Sequence, residues 1–101
     1  MKLVLITAVA EFKKDIKQIL KKSDVQSFSF KEVTGHQEDI KETITANWFA
    51  TEMNENQSIM FYAFVKAEKV DSLFHLIDLH NAKQQTASKV HIVVLCIEKS
   101  N

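Results

Sequence analysis

Twice along this chain a short branched apolar run gives way to an amphipathic helical pattern and then to a second strand pattern. That repeated order constrains the fold more than any other feature. Residues 3–7, LVLIT, are a branched apolar run of the kind that makes a buried strand. From Phe12 the period changes: Phe12, Ile16, Ile19 and Leu20 fall at i, i+4, i+7 and i+8, one face of a helix. Lysines fill the other side, and Lys21 and Lys22 stand in the last turn, where they favour the negative end of the helix dipole. The stretch VQSFSFKEVTG then alternates, with Phe28 and Phe30 pointing one way and Ser27, Ser29 and Lys31 the other. It predicts a strand ending near Gly35, the only glycine in the chain, where a positive φ is the expected reason for glycine.

The second half repeats the pattern. SIMFYAFVKA, residues 58–67, is apolar on both faces: Ile59, Phe61, Ala63 and Val65 on one, Met60, Tyr62 and Phe64 on the other. Residues 71–85 read as a helix with Val70, Leu73, Phe74 and Ile77 as its buried stripe, and KVHIVVLCIE as a last strand, again apolar on both faces. The order is βαββαβ over a single domain, residues 1–101. This implies an α+β, ferredoxin-like sandwich: a four-stranded antiparallel sheet with both helices on one face. A sheet covered on one side alternates apolar and polar. These strands do not, so a second copy of the chain is expected to cover the other face.

Hydrophobic residues make up 46% of the 101 and charged residues 26%, which excludes disorder over most of the length. Thirteen basic and thirteen acidic side chains cancel, so no strong overall field draws nucleic acid or an anionic membrane. RNA-recognition domains share this architecture but need aromatics on the first and third strands, and LVLIT has none. The first apolar run is too short to cross a bilayer, which takes ~20 residues. One cysteine, Cys96, permits no internal disulfide and fits a reducing compartment, so a cytoplasmic protein is expected.

Candidate chemistry is sparse. With one glycine there is no glycine-rich phosphate loop. Cys96 lies among Val94 and Ile97 and is expected to be packed rather than nucleophilic; His91, on the opposite face of that strand, reads as an interior or interface histidine. His75 and His80 are spaced to point to different sides of their helix and form no metal pair. His36, followed by Glu38, Asp39 and Glu42, could hold a divalent ion if a neighbouring subunit completed the site. No nucleophile, base and orienting group fall into a set, so a non-enzymatic role is expected. The connection at about 36–57 is several times the median loop length of ~4–6 residues, and long connections in small domains tend to carry function.

These features resemble the PII-type signal-transduction superfamily, small trimeric ferredoxin-like regulators. The resemblance covers nearly the whole chain and rests on EFKKDIKQILKKSDVQSFSFKEVTG leading into the long connection, then SIMFYAFVKAEKVDSLFHLI. Glu32, Val33, Thr34 and Gly35 match the family's EV-x-G segment, and residues 36–57 take the place of its partner-touching T-loop. The resemblance implies a homotrimer that senses a small ligand or metal ion in clefts between subunits and acts on a target protein. Lys89 is the one residue carried over from the nucleotide-binding region, where HNAKQQTASKVHIVV lacks the family's glycines. The connection also lacks the tyrosine that some members modify, and the family's C-terminal loop has no counterpart here. NWFA after a histidine-bearing loop is similar to a subgroup that accompanies heavy-metal efflux systems, which would make the partner a membrane transporter. The divalent-cation-tolerance (CutA-like) proteins share the trimeric architecture and offer a metal-binding alternative. Trp48 and Phe49 are neighbours that point to opposite sides of an extended chain. Either both pin the connection, or Trp48 lines the cleft beside Gly35 and Lys89.

Overall fold

The computed structural model describes residues 1–36, 55–84 and 88–101. β1 (Lys2–Val9) runs through a 3₁₀ turn, Ala10–Phe12, into α1 (Lys13–Lys22), followed by β2 (Ser29–His36). β3 (Glu55–Val65), α2 (Ala67–Lys83) and β4 (His91–Cys96) complete the order. All four strands pair antiparallel in one sheet, β2-β3-β1-β4. This is the ferredoxin-like α+β arrangement read from the repeated pattern. The register is continuous: Val4 faces Ala63 and Val94, Ile6 faces Phe61 and Ile92, and Phe30 faces Phe61.

The core lies between one sheet face and the two helices. Val4, Ile6 and Ala8 from β1 and Ile59, Phe61, Ala63 and Val65 from β3 meet Ile16, Ile19 and Leu20 of α1 and Leu73 and Ile77 of α2. Each buried valine, leucine, isoleucine or phenylalanine among them contributes roughly 1.5–3 kcal/mol. Phe61 sits under two more rings, Phe28 at 5.8 Å and Phe30 at 5.3 Å between centroids. Ile92 and Val94 pack on the same core from β4.

Local signals close each helix. After α1, Val25 N–H donates to Leu20 O and Asp24 N–H to Lys21 O, and the buried Val25 and Leu20 make the accompanying apolar contact. This is a Schellman ending, with Asp24 in the left-handed position at φ 59°. Lys69 of α2 holds Asp24 there, its Nζ 2.7 Å from Oδ2 and 3.0 Å from the backbone oxygen. At the end of α2, the Asn81 side chain donates to Val90 O and accepts from Val90 N–H, both at 2.8 Å, and so aims the chain into β4.

Four expectations are corrected. Gly35 does not have a positive φ; it is a buried residue in extended strand, so the missing side chain is what its place requires. Cys96 is exposed. It shares the helix side of β4 with Ile92 and Val94 but stands at the strand's last position, past the packed layer, with Lys2 Nζ 3.4 Å from its Sγ. β3 begins at Glu55, so the last polar residues of the expected connection are strand. α2 begins at Ala67, ahead of the expected start, and Ala67, Glu68 and Lys69 carry none of the apolar stripe that periodicity detects.

Candidate functional site

Alternation from the core residues assigns the other sheet face. Three cross-strand rows cross it: Phe64, Leu3 and Leu95; Ser29, Tyr62, Leu5 and Val93; and Lys31, Met60, Thr7 and His91. Nothing in the described residues of one chain covers the first two. Phe64 is 59% exposed, Leu95 43% and Tyr62 42%, side chains that a soluble surface seldom gathers in one patch. The third row is drier: Thr7 is buried, as is Ser58 beside it on β3, and burial pushes the His91 imidazole below its ordinary 6.5. The apolar face is therefore graded, most open at the end of the sheet where β1 begins.

The sequence-derived site residues occupy the opposite end. Gly35 and His36 close β2, His36 exposed, and Lys89 stands just ahead of β4. β2 and β4 are the two edges of the sheet. With β3 and β1 between them, three spacings of ~4.8 Å separate the edges by roughly 14 Å. Gly35 and Lys89 thus share an end of the sheet without meeting in one chain. The Lys89 ammonium donates to Asn81 O at 3.0 Å, at the C-terminal end of α2. Trp48, Glu38 and Asp39 lie outside the described residues. Among the described residues no three histidine, cysteine or acidic side chains gather as a metal group.

Sequence reasoning missed the polar contacts between elements. His80 of α2 reaches Asp15 of α1, Nε2 to Oδ2 3.1 Å, and meets the Phe12 ring in a T-shaped pair with centroids 5.0 Å apart. The other nitrogen, Nδ1, is buried with no hydrogen-bond partner among the described residues. The Nε2 bond requires a proton on that nitrogen, since the Asp15 carboxylate only accepts. Lys13 and Lys17 each place an ammonium 4.6 Å from the centroid of Phe30. None of these partners is near the other in sequence, so no local pattern announces them. Two open recesses, about 350 and 550 Å³, flank Phe64; the first is lined by Asp24, Gln26, Ser27, Lys66 and Lys69, the second by the tail from Ile97 to Asn101.

The fold is that of PII-like proteins. The sequence matches no family model and no curated relative, and the likeness lies in the structure. A DUF3240 family protein from Shewanella baltica is similar over 99% of this chain and 92% of its own, at TM-score 0.69 and 14% identity. CPII, a nitrogen regulatory PII-like protein from Thiomonas intermedia, is similar over 99% of this chain and 94% of its own, at TM-score 0.63 and 14% identity. That protein was solved bound to ADP, AMP and bicarbonate. At this identity the shared property is the fold.

Proposed function

We propose that this chain is a non-enzymatic PII-like regulator that works in the cytoplasm as a homotrimer. Its sheets pack through their uncovered faces, a small ligand or metal ion sits in the clefts between subunits, and the connection between β2 and β3 acts on a partner protein. In the branch associated with heavy-metal efflux, that partner is a membrane transporter. The observation that carries the reading is the uncovered row of Phe64, Leu3 and Leu95 beside Tyr62, in a fold shared with a nucleotide-bound PII-like protein. The placement of Gly35 and Lys89 at one end but on opposite edges supports a cleft shared between copies. There the β2 edge of one subunit faces the β4 edge of the next, and Trp48 completes the lining.

Light scattering on the purified protein tests the assembly, and a trimer mass is expected; a monomer overturns it. Calorimetric titration with ATP, ADP and AMP, and with copper, zinc and cobalt ions, tests the ligand, with quenching of the single tryptophan as a second readout. If none binds, the sensing role is lost and a constitutive partner-binding role is what is left. A second reading, a divalent-metal-binding tolerance protein using His36, Glu38 and Asp39, draws on the exposure of His36 where the connection leaves β2. In that case His36→Ala abolishes metal binding; unchanged affinity rejects it.

A further inference from the structure

We propose that the solvent face of α1 is an electrostatic docking surface for an anionic lipid bilayer. The helix buries Ile16, Ile19 and Leu20. At about 100° per residue, its other half carries Lys14, Lys17, Gln18, Lys21 and Lys22, with Lys13 just beyond one border. Asp15, the one acid of α1, lies at the border of that half and is turned to His80. Glu11 precedes the helix and Glu32 follows Phe30 on the same side of β2; among the described residues neither pairs with a lysine of α1. Lys13 and Lys17 are also held in place, both on the ring of Phe30, which is itself 39% exposed. The neutral chain therefore segregates its charge, and one helix carries a cationic half-cylinder.

Two features select a broad, flat anion as its counterpart. Neither recess flanking Phe64 is lined by these lysines. Every cation in the chain is lysine, and no arginine is present to supply the planar fork that reads one carboxylate or phosphate bidentately. Acidic and phosphorylated peptide motifs are recognised by clusters of arginine, which this chain lacks. A bilayer rich in anionic headgroups needs neither fork nor pocket and gathers lysines additively. The adsorption is peripheral, because the apolar side of α1 is committed to the core and has nothing to insert. This surface lies on the helical layer, away from the uncovered sheet face, and does not depend on the regulatory reading.

Cosedimentation with vesicles tests it. At low salt the protein binds phosphatidylcholine vesicles containing phosphatidylserine and ignores pure phosphatidylcholine, and binding fades as salt shortens the Debye length. Lys14→Gln/Lys17→Gln/Lys21→Gln weakens binding on the order of a hundredfold. Lys66→Gln/Lys83→Gln/Lys99→Gln removes the same net charge and leaves binding nearly unchanged. Circular dichroism checks that the variants fold; Lys14→Gln/Lys22→Gln, at two exposed positions, gives a milder loss if the triple variant does not. No binding to the anionic vesicles overturns the proposal. So does equal weakening by both triple variants, or binding of polyglutamate under conditions where the vesicles are not bound.

Discussion

Asp24 stands where a helix ending of this type usually has glycine, and Lys69 is what makes it tolerable. The ammonium hydrogen-bonds the carboxylate and, with its charge, holds the Asp24 carboxyl below its ordinary 3.8. A depressed carboxyl contributes stability that is present above the unfolded value and lost as pH falls through the folded one. Asp24→Asn, which keeps a residue suited to the left-handed region, therefore lowers the denaturation midpoint at neutral pH, and the gap to wild type closes as the solution is taken below pH 3.8. His91 works in the opposite range. Its folded value lies below 6.5, so the unfolded chain takes up the proton first, and stability falls as pH drops from 6.5 through the folded value. His91→Gln flattens that part of the stability–pH curve; an unaltered curve would show that His91 does not cause it. Asn81→Ala strips both hydrogen bonds from Val90 and costs about 1–3 kcal/mol in urea denaturation. Single residues were also where the sequence misled. A lone glycine can stand for a left-handed turn or for a missing side chain, and Gly35 is the second case. Cys96 has the right parity for the core and the wrong distance along its strand.

At the scale of elements, periodicity carried most of the information. The face of α1, the alternation of Phe28 and Phe30 and the two-sided apolar runs of β3 and β4 all stand where the pattern put them. The ends of elements were less legible, because they lack the apolar residues that the pattern counts. Ala67–Lys69 form the first turn of α2 and touch no stripe; Glu55–Gln57 extend β3 with polar side chains. The central element is β3, bonded to β2 on one side and β1 on the other. Its Phe61 is 1% exposed and stacks beneath rings that both come from the strand region of β2. Phe61→Ala should cost ~3–5 kcal/mol, much of what holds a domain of this size, and shift the denaturation midpoint accordingly. A loss under 1 kcal/mol would mean that the core around it closes up.

For the whole molecule the decisive feature is a sheet with one apolar face too many. That excess was legible as runs without alternation; the grading of the face, from the open Phe64 row to the drier His91 row, was not, since it depends on which rows lie at which end. Phe64→Lys/Leu95→Lys places charge in the most exposed row and should convert an assembled species to a monomer in light scattering, with the fold intact by circular dichroism. The lysine face of α1 was legible in the helical period, whereas the net charge of zero did not show it, because that figure sums over the whole chain. The strand order carries one more consequence. β1 is made first, yet its two neighbours in the sheet are β3 and β4, the last strands to be synthesised. On the ribosome Leu3, Val4, Leu5 and Ile6 emerge long before either neighbour exists, and the first of the two ladders closes only once β3 has left the exit tunnel. Until then the nascent chain holds an apolar strand with both edges bare, the kind of segment that chaperones shield.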